Sequence, residues 1–319
     1  MIIFGFDFGT TNSVFAASIN GRIISYTDDD DRPIPSIITY EGDQKIIGRP
    51  AKERLQDAGL GVFGNTIRSP KMLLEKESVT VDGVSRSVVD IVSHLMTGLV
   101  DWTRSQVDSK ITLPDRLPVV ITIPVNFKGA QRRALRAAAT AAGLDIVQFI
   151  HEPFAALYGY LRRHQDSSDL LHELENELLL VYDWGGGTLD ITLCRLIRGH
   201  LIQIDSDGTD SIGGDHFDTT IQNHVIDRFL GDSRQSKDKL RFDPDGKTRL
   251  LHACERVKIE LSSRDRAILY EESLFPELED PGLEYELTQA ELEEVVRPLI
   301  NAGLSRLERL LQKNGVGRQ

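Results

Sequence analysis

Apolar positions along the chain change period several times, and each change marks an element. Ile2 to Phe8 is apolar and rich in β-forming side chains. Val14 to Ile19 and Ile23 to Tyr26 follow, separated by Asn20-Gly21, a pair suited to a two-residue hairpin. Ser36 to Tyr40 and Lys45 to Ile47 form a second predicted pair, turning at Glu41-Gly42-Asp43. From Val89 to Arg104 the period becomes helical, with Ile91, Leu95, Leu99 and Trp102 on one stripe. A strand–helix–strand succession is next. Pro118 to Ile123 and Ile146 to Ile150 flank a helix from Ala130 to Ala142 that is rich in Ala, Leu and Arg and stops at Gly143. Pro153 opens a further helix at its first turn, where a missing N–H is tolerated. That helix runs out in the polar stretch Arg162 to Asn176, which reads as a lobe boundary.

The second half restarts with a buried strand, Leu178 to Tyr182, a glycine turn, and an alternating strand, Ile191 to Leu196. Phe217, Ile221, Val225 and Phe229 predict a helix after Gly214, and Leu250, Cys254, Val257 and Leu261 another. Thr288-Gln289-Ala290-Glu291 is a capping box opening a long C-terminal helix, which Pro298 is expected to kink or split. A weak internal repeat links the halves. An apolar strand runs into Asp7-Phe8-Gly9-Thr10, and another into Asp183-Trp184-Gly185-Gly186, both followed by β sequence. The pattern predicts an α/β chain of two similar lobes facing one ligand: 1–174 and 175–319, with 213–286 as the outer subdomain of the second.

Composition narrows the function classes. Of 319 residues, 40% are hydrophobic and the net charge is −12. A nucleic-acid partner needs a basic footprint, and none stands out. The run Asp28-Asp29-Asp30-Asp31 reads as a solvated turn. Cys194 and Cys254 lie among apolar residues outside any metal-ligand spacing, so both read as small core positions in a reducing compartment. The N-terminus lacks a basic leader and no apolar run spans a bilayer. The expectation is a soluble cytoplasmic protein.

Two motifs carry chemistry. In Phe4-Gly5-Phe6-Asp7-Phe8-Gly9-Thr10-Thr11-Asn12-Ser13, glycine lets the backbone approach phosphate oxygens, while successive N–H groups and hydroxyls form an anion cradle. Asp7, at a strand end, is placed to hold magnesium through its waters. A plain hairpin with a Thr-rich turn reads the same residues equally well. In Tyr182-Asp183-Trp184-Gly185-Gly186-Gly187-Thr188-Leu189-Asp190, three glycines directly after an apolar strand are entropically costly, so something must approach the main chain.

Together the two motifs resemble the phosphate loops of the actin-like ATPases. Further segments resemble the nucleotide-binding domain of the 70-kilodalton heat-shock chaperones: Pro35-Ser36-Ile37-Ile38, Gly48 to Lys52, Asn65-Thr66-Ile67 followed by Lys71, Val119 to Pro124 with Ala130-Gln131-Arg132, His151 to Ala156, Ile212 to Asp218, and Ala253 to Ser263. The resemblance implies an actin-like ATPase fold, two lobes each with a mixed sheet flanked by helices, and a nucleotide cleft between them. It implies weak, magnesium-dependent ATP hydrolysis in a stress-response chaperone, with ATP or ADP and Mg as cofactors. Residue by residue, it implies that Asp7 and Asp183 orient hydrated magnesium. Gly9, Thr10, Thr11 and Asn12 cradle the phosphates opposite Gly185, Gly186 and Gly187. Lys71 contacts the γ-phosphate, Thr188 positions water or phosphate, and Glu152 and Asp190 complete a carboxylate ring. Gly213 and Gly214 allow closure, and Glu255, Lys258 and Ser262 hold adenosine. Pro124 and Arg132 relay nucleotide state. Spacing alone makes Glu255, Lys258 and Ser262 one polar helix face, and Lys71 alone a solvated lysine after a proline.

The sequence departs from that family in four ways. Ile259 stands where an adenine-stacking arginine is usual. The stretch from Lys71 to Pro124 is short. The chain ends at Gln319 before a Gly-Gly-Ser/Thr loop, and it carries neither linker nor β-rich peptide-binding domain. The last two read as truncation, so co-chaperones and a peptide-binding domain are expected of a longer parent. A sugar-kinase-like phosphotransferase of the same fold, or a non-hydrolysing nucleotide-sensing module, is the rival reading.

Overall fold

Strand β1 (Phe4–Phe8) turns Phe4, Phe6 and Phe8 to the core and leaves Gly5 and Asp7 on its other face, as strand alternation requires. A computed structural model of the chain describes residues 2–57, 64–164, 172–232, 241–278 and 281–317. β2 (Asn12–Ile19) returns antiparallel to β1, and β3 (Arg22–Tyr26) follows through Asn20-Gly21, whose φ values of 52° and 79° are those the hairpin requires. β4 (Ile34–Pro35) flanks β2. β5 (Ile37–Glu41) and β6 (Gln44–Ile47) make the second expected pair, to which β7 (Thr66–Arg68) adds after α1 (Arg49–Asp57). A 3₁₀ turn (Pro70–Leu73) and a hairpin of β8 (Ser78–Val81) and β9 (Val84–Ser87) lead into α2 (Val88–Gln106).

The strand–helix–strand unit forms as β10 (Leu117–Ile123), α3 (Gly129–Ala141) and β11 (Leu144–His151), with Gly143 at φ 78° ending the helix. β10 runs parallel to β1 and to β11, giving the order β11-β10-β1-β2-β3. Phe6 stacks on Phe15 at 3.9 Å, and this aromatic layer joins Leu95 and Leu99 of α2 and Leu135 of α3 in one core. α4 (Glu152–Arg163) begins with Pro153 in its first turn; part of the polar stretch after it lies outside the described residues.

β12 (Leu178–Trp184), β13 (Leu189–Ile197) and β14 (His200–Thr209) form a second antiparallel sheet. Two expectations need correction here. β12 is an edge strand and only half-buried, with Leu180 43% exposed, whereas β13 is central and buried on both faces instead of alternating. β14 carries no clear periodicity, and the sequence reading missed it. Its carboxylates are tied down by the end of the last helix. Arg306 donates to Asp207 (3.1 Å) and the Gly208 carbonyl, and Lys313 and Asn314 hold Asp205.

α5 (Gly214–Asp232), α6 (Pro244–Glu260), the hairpin β15 (Arg266–Glu271) with β16 (Leu283–Thr288), and α7 (Gln289–Lys313) complete the chain. Ile221, Val225, Leu250, Cys254, Val257 and Leu269 build a separate core. The chain forms two compact units: Met1–Lys52, Asn65–Ser211 and Arg306–Gln319 in the first, and Glu53–Gly64 with Ile212–Ser305 in the second.

Three local expectations change. α7 runs through Pro298 unbroken, because Glu294, whose carbonyl loses its N–H donor, lies on the exposed face where water serves instead. Only half of the capping box forms: the Glu291 N–H donates to Thr288 Oγ1 (3.2 Å), while the Glu291 carboxylate accepts from Tyr285 (2.5 Å) and pairs with His224 (2.8 Å). Asp28 is not merely solvated. It accepts the N–H groups of Asp30 and Arg32 and pairs with Arg49. Both cysteines are buried, as expected. Burial pushes the Cys194 thiol up to about 11 and raises that of Cys254 as well, the latter helped by Asp218. No described helix is long and apolar enough to cross a membrane.

Candidate functional site

Both glycine turns lie in the first unit, and they touch. The first links β1 to β2. A side chain at Gly9 would strike the Asn12 carbonyl, so the turn tolerates only glycine there. Ser36 braces it from outside, with Oγ donating to the Gly9 carbonyl (2.8 Å) and N–H donating to the Thr11 carbonyl (2.8 Å). The second turn links β12 to β13 and closes with Gly185 N–H donating to the Thr188 carbonyl (2.9 Å). A Cβ at Gly187 would lie 2.7 Å from Thr10 Cγ2 and from Met72 Sδ. The expected close approach to this glycine run is therefore made, in part, by the first turn itself. Thr10 and Thr188 are buried; Thr11 is half-buried and Asn12 exposed.

Lys71 contradicts the reading of a solvated surface lysine. It is 2% exposed and ion-paired with Glu152, the first residue of α4. Ser69, at φ 49°, holds a left-handed conformation just before Pro70, and this strained entry aims the short 3₁₀ turn that carries Lys71. Phe127 supplies a ring 6.0 Å from the ammonium.

Four carboxylates share this region: Asp7, Glu152, Asp183 and Asp190. Burial pushes Glu152 up to about 7, with the Lys71 ammonium pulling the other way. Asp183 is raised by burial and by Asp7. Asp190, 1% exposed, is raised by burial against a hydrogen bond from Val125 N–H to Oδ1 (2.7 Å) and one from the Thr188 side chain. Asp7 accepts a 2.5 Å hydrogen bond from Thr122 Oγ1 on β10. A cavity beside these groups is lined by Lys71, Met72, Pro124, Phe127, Thr188 and Asp190. Arg132, from the expected relay, donates Nε–H to the Phe127 carbonyl (3.0 Å) and is not simply solvated.

This donor set fits a hydrated magnesium ion. Four carboxylates share the region of one ammonium, so negative charge is in excess there. Among the described residues no three His, Cys, Asp or Glu side chains group closely enough to hold a metal ion directly.

The remaining predicted residues belong to the second unit. Gly213 accepts the N–H groups of His216 and Phe217 at the start of α5. Lys258 pairs with buried Asp218 (2.6 Å) and donates to the Gly214 carbonyl (3.2 Å). Glu255 is half-buried, and Ser262 Oγ donates to the Ile259 carbonyl (2.6 Å). Thr122, Ser36 and Met72 were given no role by sequence reasoning. The signal for Thr122 was a polar residue inside the apolar run Val119 to Pro124, but its partner depends on how β10 pairs with β1.

Comparison with known proteins shows the family of the chain. The family described as Hsp70 protein matches residues 3–77 and 74–319. The chain is similar to the chaperone protein DnaK of Deinococcus proteolyticus, 30% identical with 98% of this chain and 50% of that protein covered. It is also similar to that of Mycoplasmopsis pulmonis (29%, covering 98% and 49%) and that of Ureaplasma parvum (32%, covering 82% and 40%). The chain thus spans about half the length of the curated relatives it matches. With matches across nearly all its length, the chain belongs to the Hsp70 family and has that family's actin-like ATPase fold.

Proposed function

We propose that the chain is the magnesium-dependent, ATP-hydrolysing domain of a cytoplasmic heat-shock-type chaperone. The observation that carries this reading is the contact of the two glycine turns at Thr10 and Gly187, with the buried Lys71–Glu152 pair in the same unit. Thr10, Thr11 and Asn12 from one turn, and Gly185, Gly186 and Gly187 from the other, bind phosphate oxygens through N–H groups and hydroxyls. Asp7 and Asp183 orient the waters of the metal. Magnesium, when bound, neutralises charge on the phosphates. Lys71 brings its cation to the γ-phosphoryl oxygens, where charge develops as the bond to the β-phosphate breaks. Thr188 orients the attacking water, and the Asp190 carboxylate beside it accepts its proton. Glu152 holds Lys71 in place. Gly213, Gly214, Glu255, Lys258 and Ser262 are assigned to adenosine. Co-chaperones and a peptide-binding domain belong to the longer protein in this reading.

Lys71→Ala is the test. Single-turnover hydrolysis should fall about a hundredfold or more, the scale for losing one transition-state charge contact, while ATP affinity changes far less. Circular dichroism must show the variant folded. Equal losses of binding and hydrolysis, or no loss of hydrolysis, would contradict the role.

A further inference from the structure

We infer that Thr122 is a positioning residue that sets the orientation of the Asp7 carboxylate for the metal. The inference rests on the reading of Asp7 as a magnesium-orienting group, and it assigns a role to a residue outside that set. β1 and β10 pair in parallel, with Phe4 opposite Val119 and Phe6 opposite Ile121, so Asp7 and Thr122 emerge side by side on the face away from the aromatic core. On the same row, Asp7 pairs across to Val14 and Thr122 to Ile150. In this row of four, Thr122 is the polar neighbour of Asp7. Its hydroxyl donates to Asp7 Oδ1 at 2.5 Å.

The position decides what the bond is for. Asp7 is exposed, so water could satisfy its carboxylate without help, and a solvent-competed hydrogen bond contributes little to folding. What the bond does is fix a carboxylate that would otherwise sample several rotamers. With one oxygen held by Thr122, Oδ2 keeps its lone pairs for the waters of a cation. The hydroxyl spends its single proton on Asp7 and retains acceptor capacity toward the same waters. Outer partners that orient metal-binding groups commonly matter to affinity nearly as much as the groups themselves. A β-branched threonine on a strand holds its hydroxyl in few rotamers and is well suited to the task.

The test uses Mn²⁺ as the probe ion, with ADP so that no turnover is involved, and reads bound metal by electron paramagnetic resonance. Thr122→Val keeps shape and removes the donor. Thr122→Ser keeps the donor. Thr122→Val should weaken Mn²⁺ binding in the ADP complex by about tenfold, with ADP affinity in chelator and the thermal midpoint unchanged. Thr122→Ser should stay close to the parent protein. Metal affinity unchanged in Thr122→Val, or lost equally in Thr122→Ser, would overturn the inference. If the parent protein binds Mn²⁺ with ADP but Asp7→Asn leaves that affinity intact, the assignment of Asp7 fails and this inference fails with it. Retained dependence on Asp7 with no dependence on Thr122 overturns the inference alone.

Discussion

Lys71 keeps its ammonium almost wholly out of water, and Glu152 is the countercharge that makes this tolerable. The cost appears on the carboxyl, which burial pushes up to about 7 despite the pairing. A raised carboxyl contributes stability that is complete below the unfolded value near 4.5 and is lost as pH rises through about 7. Glu152→Gln removes that titration. The fall in urea midpoint from pH 5 to pH 8 should therefore be smaller in the variant than in the parent, even if the variant starts less stable; equal falls would show that Glu152 does not titrate there. Neither partner was legible from its own surroundings. Lys71 is one lysine after a proline, and Glu152 suits any helix N-terminus. The motifs around them singled out both as candidates, because motif order survives in sequence where distance does not. Thr122 lies inside one such motif, Val119 to Pro124, but the motif assigned it no role.

Elements with strong periods were readable: β1 to β3, α2, α3 and α5 lie where the apolar pattern puts them. β14 was not, because Asp205, Asp207 and Gly208 read as loop when their partners, Arg306, Lys313 and Asn314, lie about a hundred residues away. Pro298 misled in the opposite direction, since a proline rule does not know which carbonyl faces water. On α6 the apolar stripe was clear and the polar face was not. Lys258 is tied to Asp218, while Ile259 is 61% exposed next to it. If α6 serves adenosine, Ile259→Arg should restore a stacking cation. ATP should then bind tighter by about 0.5–2 kcal/mol, roughly 2- to 30-fold, as read by calorimetry. Unchanged affinity would remove α6 from the base pocket.

The whole chain carries −12 charge, and four carboxylates lie in the region assigned to phosphate and metal. Nucleotide and cation should therefore stabilise the protein far more together than either does alone. At a hundred times its dissociation constant, MgADP should add about 2.7 kcal/mol, raising the thermal midpoint by several degrees, and chelator should reverse most of that rise. An equal rise with ADP in chelator would show that the carboxylates hold no metal. Each unit holds one buried cysteine: Cys194 on β13 in the first, Cys254 on α6 in the second. Both thiols are sealed and held protonated, so an alkylating reagent can reach either only while its surroundings are open. Modification kinetics at the two sites thus report two opening equilibria separately. The molecule carries a built-in clock for each unit, and ligands can be ranked by which clock they slow.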